Sequence, residues 1–317
     1  MFIKKQTYLF ECLFTNGFEQ MMPPEKMPLI SIVVPTYNRK DYLRLCLQAI
    51  QNQSYPNYEI VVMDDGSTDD TCKMVMSEFP QVRYFYQQNA GTAAAKNAAV
   101  SMAQGEYIVF IDSDDVFLPD AVEKLYHALP QDQAMACSYG HYLTIDADGN
   151  LQTTKNKIKH FPSGMILKDL LRHIIVTNCG TMIPRQLFLD VGGFDCDLRV
   201  AEDYKLFLTI AEHVPFYAVQ DPIYLRRRHN SNLSSASYSK VKTVFSVFDN
   251  FCSSRPEIQK EYQKIIRERY ADFHNKLYRE AKREGLRKEA AEHISAACRA
   301  KLNLKNLFRF LGEKIKK

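Results

Sequence analysis

The sequence predicts an α/β fold in which a mostly parallel sheet carries helices on both faces. Short apolar runs alternate with helix-like patterns four times within the first 130 residues, a pattern typical of parallel sheets. One of these runs, Tyr107–Ile111, leads directly into the acidic segment Asp112-Ser-Asp-Asp115. In open α/β sheets ligands bind at the carboxyl ends of the strands, so an acidic segment there predicts a binding crevice.

The elements of this first part follow from apolar periodicity. Continuous apolar runs predict buried strands, and apolar residues three or four positions apart predict helices. The strands are expected over 29–34, 58–63, 82–86 and 107–111, and the helices over 41–53, 68–79, 89–103 and 119–129. Ser67 or Thr68 is expected to cap the second helix.

After residue 134 the alternation changes. A strand over 134–142 leads into a hairpin-type turn at Asp146–Asn150. Beyond it we expect a helix over 165–173, an extended segment over 177–183, a helix that starts at Glu202, and short strands over 216–219 and 223–226. From about residue 238 the pattern is helical.

The length of 317 residues fits one large domain with an appendage, or two domains. The net charge of +4 conceals an asymmetry. Residues 240–317 carry 20 Lys and Arg against 10 Asp and Glu, whereas the remainder carries 21 against 27. An acidic body with a basic tail suggests that the tail contacts an anionic surface or supplies an interface.

The eight cysteines are scattered, and no Cys-x-x-Cys occurs. This pattern supports neither a zinc finger nor a disulfide framework, and it favours reduced thiols in a cytoplasmic protein. No apolar run approaches the roughly 18 residues of a membrane span. Residues 1–27 make a poor signal peptide, and we expect a leader that is disordered or foreign to the native protein, with Met27 as an alternative start.

Asp112 and Asp114 are the first candidate site residues. Being two apart on an extended backbone, they project to the same side, and two such carboxylates can hold a hard divalent cation. The alternative is a solvated acidic turn. A second acidic strand end, at Asp64 and Asp65, lies on the same predicted edge of the sheet and counts against that alternative.

Six motifs in order give the chain a resemblance to a known family. They are Val34-Pro-Thr-Tyr-Asn-Arg39, Asp64-Asp-Gly-Ser-Thr-Asp69, Asn89-Ala-Gly-Thr-Ala-Ala-Ala-Lys-Asn97, Asp112-Ser-Asp-Asp115, Gly192-Gly-Phe-Asp195 and Glu202-Asp203. Over residues 28–234 the chain resembles a family 2 glycosyltransferase of the GT-A fold, the inverting, non-processive transferases that use nucleotide-sugars. The resemblance implies a GT-A domain over 28–235, with a Rossmann-like mixed sheet flanked by helices, and a basic helical C-terminal extension over 236–317.

The resemblance also implies a donor site. Pro35, Thr36, Tyr37 and Asn38 would meet the nucleobase or ribose, Asp65 would accept the uracil N–H, and Asp112 with Ser113 would complete the nucleotide site. Lys96 stands where the family has arginine, and it would neutralise phosphate as a point charge, with a solvated helix-face lysine as the alternative. Asp114 and Asp112 would hold Mn²⁺ or Mg²⁺, with Asp114 the more direct ligand.

The acceptor side rests on Glu202 and Asp203. The resemblance implies that this pair carries the catalytic base, usually the aspartate, and the alternative is an acidic pair favoured by a helix N-terminus. Asp195 is a lesser candidate for holding the acceptor. Arg227 and His229 match a loop that contacts the diphosphate in relatives, and a plain basic loop is the alternative.

The implied activity is sugar transfer from a nucleotide-sugar, with UDP expected, to a glycan or lipid-linked glycan in surface polysaccharide synthesis. The lack of tryptophan, and with it of the Gln-x-x-Arg-Trp motif, counts against a processive synthase, as does the lack of a membrane span. A nucleotide-sugar-binding protein without turnover is the alternative. No dinucleotide, P-loop or groove-reading motif occurs, so no nucleic-acid partner is expected.

The C-terminal helices leave three interpretations open. Apolar residues interleave with lysine and arginine over 301–317, and such a segment can lie on the inner membrane face near a lipid-linked acceptor. It can equally pack on the catalytic domain or on a second copy in a homo-oligomer. The expected location is cytoplasmic, with peripheral contact at the inner membrane face.

Overall fold

The computed structural model describes residues 27–130, 135–152, 160–229 and 237–301, together with residues 306, 309 and 310. Its strands are β1 Ile30–Thr36, β2 Tyr58–Asp64, β3 Arg83–Tyr86, β4 Tyr107–Phe110, β5 Val116–Phe117, β6 Cys137–Ile145, β7 Leu151–Gln152, β8 Thr181–Pro184 and β9 Phe216–Arg227. The described strands form one mixed sheet in the order β3-β2-β1-β4-β8-β6-β9-β5, and β7 pairs with β6.

Helices follow most strands. They are α1 Lys40–Gln51, α2 Thr71–Glu78, α3 Thr92–Met102, α4 Ala121–Ala128, α5 Leu167–Arg172, α6 Arg185–Asp190, α7 Glu202–Ala211, α8 Tyr238–Ser253, α9 Pro256–Glu261, α10 Gln263–Arg283 and α11 Arg287–Ala300. The predicted helices and strands of the first 130 residues are all present, with ends shifted by a few residues.

The first half of the sheet is parallel, as predicted. Strand β1 pairs in parallel with both β2 and β4, and β2 pairs in parallel with β3. The register places Thr36 beside Asp64 and Val33 beside Phe110. The acidic ends of β2 and β4 therefore flank the end of β1, at the edge of the sheet where the sequence predicts a binding crevice.

Alternate residues of β1 enter different cores because successive side chains of a strand point to opposite faces. Ile32 and Val34 pack with α1 residues such as Leu43, whereas Val33 packs with α3 residues such as Ala95. All of these side chains are fully buried. Each face of the sheet is thus covered by helices, which confirms the predicted α/β layering.

The second half of the sheet makes it mixed. Strand β8 runs antiparallel to β4 and β6, and β6 pairs in parallel with β9. The two short strands predicted over 216–226 were wrong, because they are one 12-residue strand. The register with β6 shifts around His141, opposite Pro222, and such an irregularity accommodates a proline without ending the strand.

The predicted cap of α2 was also wrong. That helix begins at Thr71 with Asp70 in the capping position. Ser67 instead accepts a hydrogen bond at Oγ from the Asn38 N–H (2.8 Å), and Asp69 Oδ1 accepts from the Thr71 N–H (3.1 Å). Ser67 is thus bound to the segment after β1, whereas Asp69 binds the first residue of α2.

The C-terminal helices pack on the rest of the molecule. Val247, Phe248 and Phe251 of α8 belong to the same buried cluster as Phe207 of α7, and Phe273 of α10 joins them. A smaller cluster joins α10 to α11. Within the described residues, no helix is long and apolar enough to cross a membrane. The leader over 1–26 and most of the interleaved segment over 302–317 lie outside the described residues.

A surface groove of about 720 Å³ lies among α9, α10 and α11. Its lining includes Lys260, Arg267 and Arg299, and it shares no residue with the acidic crevice. The candidate chemistry of the chain is therefore separate from this groove.

Candidate active site

The acidic turn after β4 is buried. Ser113, Asp114 and Asp115 are 2%, 5% and 4% exposed. Asp114 Oδ2 lies 2.6 Å from Arg39 Nη1 and 2.8 Å from His229 Nε2. Burial of a carboxylate requires such partners, so Arg39 and His229 together hold Asp114 at the crevice edge.

His229 and Arg227 approach the turn in different ways. The His229 ring stacks on Tyr42, with ring centres 5.3 Å apart, and faces the Asp114 carboxylate. The Arg227 side chain instead donates from Nε to the Asp114 carbonyl oxygen (3.1 Å) and from Nη1 to the Ala147 carbonyl oxygen (3.0 Å). Arg227 thereby supports the backbone of the turn, while His229 contacts its carboxylate.

Asp115 is held under the turn. Its Oδ1 accepts a hydrogen bond from the Arg227 N–H at 2.9 Å. Burial, followed by the neighbouring charges of Asp112 and Asp114, raises the pKa of Asp115 well above its usual range. This carboxyl group therefore belongs to the support of the turn.

Among the described residues, one group of side chains in the turn region could hold a metal ion, and two of its three members are carboxylates. Ligand atoms of Asp112, Asp115 and Cys179 lie within 4.8 Å of one another, and Asp114 with His229 lies in the same turn region. Carboxylate oxygens and imidazole suit Mn²⁺, and carboxylates suit Mg²⁺. Burial raises the pKa of the Cys179 thiol well above its usual range, and hard cations such as Mg²⁺ prefer carboxylate oxygens to sulfur.

At the other end of the crevice, Asp65 organises a loop. Its Oδ1 accepts from Gln87 Nε2 (2.7 Å) and from the Ala90 N–H (2.9 Å), and its Oδ2 accepts from the Gly91 N–H (2.9 Å). These bonds fix the entry to α3. Asp65, the residue expected to contact uracil, is thus engaged with protein groups.

The segment after β1 is bound to the loop after β2. The Asn38 side-chain oxygen accepts from the Thr68 N–H at 2.7 Å, and its backbone has a φ of 50°. Pro35 and Thr36 are buried, and the Thr36 hydroxyl has no hydrogen-bond partner among the described residues. Tyr37 is 47% exposed, so its ring is accessible at the crevice edge.

Lys96 lies deep in the site. It is 3% exposed, and its Nζ is 3.2 Å from Glu202 Oε1 and 5.1 Å from the centre of the Phe194 ring. Burial alone would lower the pKa of Lys96, but the carboxylates of Asp112, Glu202 and Asp203 raise it above its usual value. The alternative of a solvated lysine on a helix face is wrong.

The acidic pair occupies the first turn of α7, directly after Ala201, whose φ is 67°. Asp203 Oδ1 accepts from the Tyr204 N–H at 2.7 Å. Burial raises the pKa of Glu202, and the charge of Lys96 opposes that rise. Asp195 points to another contact, an ion pair with Lys205 that lowers the pKa of Asp195.

Arg39 and Asn97 are site residues to which sequence reasoning assigned no role. Asn97 Nδ2 donates to the Phe194 carbonyl oxygen (2.8 Å), and its Oδ1 accepts from the Phe194 N–H (2.9 Å). Asn97 thus holds the glycine-bearing loop against α3. Arg39 and Asn97 are the last residues of the motifs Val34–Arg39 and Asn89–Asn97. Their place in these motifs was the feature of the sequence that could have identified them.

The chain belongs to glycosyl transferase family 2, whose family model matches residues 31–192, just over half of the chain. It is similar to a chondroitin synthase of Escherichia coli, with 32% identity over 66% of this chain. It is also similar to a putative teichuronic acid biosynthesis glycosyltransferase, TuaG, of Bacillus subtilis, with 27% identity over 70% of this chain and 87% of that protein.

The chain spans only 30% of the length of the chondroitin synthase, and 23% of a hyaluronan synthase of Pasteurella multocida to which it is 31% identical over 68% of this chain. Two solved structures share its fold. TarS residues 1–349 from S. aureus, in complex with UDP-GlcNAc, superposes with a TM-score of 0.58 at 18% identity over 90% of each chain. The mannosyltransferase PcManGT from Pyrobaculum calidifontis, in complex with GDP-Man and Mn²⁺, gives 0.56 at 19% identity, over 99% of this chain and 87% of that one. These likenesses confirm the predicted GT-A fold.

Proposed function

We propose that this chain is an inverting glycosyltransferase that moves a sugar from a nucleoside diphosphate sugar to a glycan or lipid-linked glycan in polysaccharide synthesis. One observation carries the proposal. A single buried lysine, Lys96, lies in the charge environment of both acidic sites, Asp112 after β4 and the Glu202–Asp203 pair on α7. This supports the proposal that Asp112 binds the donor and that the acidic pair supplies the base in one crevice.

The donor would occupy the ends of β1, β2 and β4. Pro35, Thr36, Tyr37, Asn38 and Asp65 are the proposed nucleoside side, and Asp112 with Ser113 is the proposed diphosphate side. The TarS and PcManGT structures contain UDP-GlcNAc and GDP-Man, which supports a nucleotide-sugar as the class of donor. UDP is the proposed carrier, as the resemblance implies.

Asp114, Asp112 and His229 would hold a divalent cation. PcManGT carries Mn²⁺, and the oxygen and imidazole donors of this turn suit that ion. When bound, such an ion offsets the negative charge that develops on a departing diphosphate. Arg39 already faces Asp114 and would then be free to contact the diphosphate.

Asp203 is the proposed base. It would accept the proton of an acceptor hydroxyl while that oxygen attacks the anomeric carbon from the side opposite the diphosphate, and a single displacement inverts the configuration. Glu202 is held by Lys96, which leaves Asp203 for the proton transfer. Asp195, in the glycine-bearing loop before α7, is a proposed contact for the acceptor.

We also propose the class of acceptor and the division of the chain into a transferase part and a basic extension. The names of the chondroitin synthase, the hyaluronan synthase and TuaG support a polysaccharide acceptor. We assign the transferase chemistry to residues 28–235. The basic extension over 236–317 would contact anionic lipid at the inner membrane face, near a lipid-linked acceptor.

The test is transfer by wild type and by Asp203→Asn. A panel of UDP-, GDP- and TDP-sugars with Mn²⁺ and glycan acceptors should give release of one nucleoside diphosphate, with an inverted linkage by NMR. Asp203→Asn should lower turnover by at least about 100-fold, because a positioned base contributes about that much. Donor affinity should stay within threefold of wild type.

Asp272→Asn, at an exposed aspartate of α10, is the matched control and should transfer like wild type. Turnover by Asp203→Asn near the wild-type rate would place the base elsewhere. A retained anomeric configuration would exclude single displacement.

A further inference from the structure

Lys96 lies where a phosphate-binding lysine would not be expected. Its ammonium group is almost fully buried and is 3.2 Å from the Glu202 carboxylate, a residue 106 positions further along the chain. The ring of Phe194 covers it at 5.1 Å. A donor phosphate could reach this ammonium only by displacing the protein contacts that already surround it.

The charges around Lys96 explain why it can be buried. A buried ammonium is very costly unless carboxylates compensate it. The negative charges of Asp112, after β4, and of Glu202 and Asp203, in the first turn of α7, all act on Lys96, and Glu202 is in direct contact with it. One cation therefore lies among three carboxylates and reduces their mutual repulsion.

The next residue of α3 supports the same interpretation independently. Asn97 binds both the N–H and the carbonyl group of Phe194, at 2.9 and 2.8 Å. The loop that Asn97 holds leads directly to α7. Two consecutive residues of α3 thus fix the loop and the acidic pair that follows it.

We propose that Lys96 is a positioning residue, which holds Glu202 through an ion pair and so fixes Asp203 opposite the donor site. This replaces the sequence-based expectation that Lys96 binds donor phosphate, and it rests on the proposed transfer reaction. As a positioning residue, Lys96 would contact neither the nucleotide-sugar donor nor the acceptor. Its effect reaches the acceptor hydroxyl through Glu202 and the first turn of α7.

The experiment compares Lys96→Met, Lys96→Arg, Glu202→Gln and the double variant Lys96→Met/Glu202→Gln with wild type. Lys73→Met, at an exposed lysine of α2, is the matched control and should behave as wild type. UDP and GDP, each with Mn²⁺, are the binding probes. Lys96→Met should bind the probe that wild type binds within threefold, while kcat falls at least 100-fold.

Two further readouts separate positioning from binding. In Lys96→Met the acid limb of the kcat profile should move to higher pH, because a carboxylate that loses a neighbouring ammonium has a higher pKa. Lys96→Arg should recover at least a tenth of the wild-type kcat. Nucleotide affinity lowered tenfold or more, with kcat retained, would overturn the proposal and restore the phosphate-binding role.

The unfolding equilibrium tests the ion pair without any turnover. Removing one partner leaves a buried charge uncompensated. The equilibrium constant for unfolding of the double variant should therefore be at least tenfold smaller than the value expected if the effects of the two single substitutions were independent. Additive effects within threefold would overturn the proposal. Absence of transfer by wild type would instead overturn the proposed function, and this coupling would still be measurable.

Discussion

Asp114 is shared by two cationic or potentially cationic side chains, and this sharing determines how a metal ion can bind. Arg39 Nη1 lies 2.6 Å from Asp114 Oδ2, and His229 Nε2 lies 2.8 Å from the same oxygen. We expect a divalent ion bound at this oxygen to displace the guanidinium group. If the proposed ion binds there, the ion pair would compete with it until a negatively charged donor is present.

Arg39→Gln should increase the affinity for Mn²⁺ alone. Removing a positive charge next to the ligands favours a cation, and the ion pair no longer has to break. We expect an increase of about three- to tenfold, measured by electron paramagnetic resonance of free Mn²⁺ during titration. Arg44→Gln, an arginine on α1 that pairs with Glu78, is the control. Unchanged or weaker Mn²⁺ binding in Arg39→Gln would show that Arg39 and the ion do not compete.

At the residue scale, sequence reasoning found motifs more readily than contacts. It singled out Asp114 and His229 separately, and their hydrogen bond spans 115 positions, which no local pattern reveals. The expectation that Asp65 faces a nucleobase stays a prediction, and the hydrogen bonds of Asp65 to the loop before α3 were not predicted. Side-chain direction depends on packing between distant segments, so motif order alone could not supply it.

The loop between α6 and α7 depends on a glycine. Gly193 has a φ of 68°, and a Cβ at that position would lie 2.7 Å from Asn97 Oδ1 and 3.0 Å from the Phe188 ring. Gly192 has a φ of 85° and no atom within 4 Å of its Cβ position. A side chain at either position would therefore be strained by the positive φ, but only a side chain at position 193 would also clash with neighbouring atoms.

Gly193→Ala should therefore be more destabilising than Gly192→Ala. Each substitution costs about 1–2 kcal/mol for placing an L-residue in the left-handed region. The clash should add at least about 1 kcal/mol to Gly193→Ala, as overpacking does. Urea denaturation measures both free energies of unfolding. Equal losses in the two variants would mean that the loop moves away from Asn97 without cost.

A histidine pair links the C-terminal helices. His274 Nδ1 of α10 lies 3.1 Å from His293 Nδ1 of α11, and His293 Nε2 lies 3.0 Å from the Tyr238 hydroxyl of α8. Burial, followed by the charge of His293, lowers the pKa of His274 from 6.5 to about 4. Burial also lowers the pKa of His293. Both rings are therefore neutral in the folded protein at pH 7.

The folded state should lose stability as the pH falls from 6.5 towards 4. Over this range the histidines bind protons in the unfolded chain but not in the folded protein, so the free energy of unfolding decreases with decreasing pH. Urea denaturation at pH 7 and pH 5 should show the loss. His274→Phe, which keeps an aromatic ring against Phe245, should show a smaller loss. An equal loss in this variant would assign the pH dependence to other groups.

At the scale of elements, the strands and helices of the first half were predictable because each follows a clear apolar period. The merging of two predicted strands into β9 was not, since it depends on pairing with β6 across the irregularity near Pro222. The packing of α8 against α7 was likewise open. An apolar helical stripe indicates burial but does not name the surface that covers it.

The whole molecule combines an acidic crevice with a basic C-terminal part, although the core between them is continuous. Phe248 of α8 and Phe207 of α7 are fully buried in one cluster. Residues 240–301 contribute 15 Lys and Arg against 9 Asp and Glu to this excess, and their helices α8 and α10 pack on the transferase core. Any acceptor or surface that this charge attracts would be held by the same body that contains the crevice.

Metal-dependent nucleotide binding would show most directly whether the crevice holds a nucleotide together with a divalent ion. Thermal unfolding of wild type and Asp114→Asn would be followed with UDP, GDP or TDP, each with and without Mn²⁺. A ligand that binds only the folded state raises the unfolding temperature, so wild type should be stabilised by one nucleotide in the presence of Mn²⁺. Asp114→Asn should lose that stabilisation. Stabilisation that is independent of Mn²⁺ and unchanged in Asp114→Asn, or none with any nucleotide, would contradict the account.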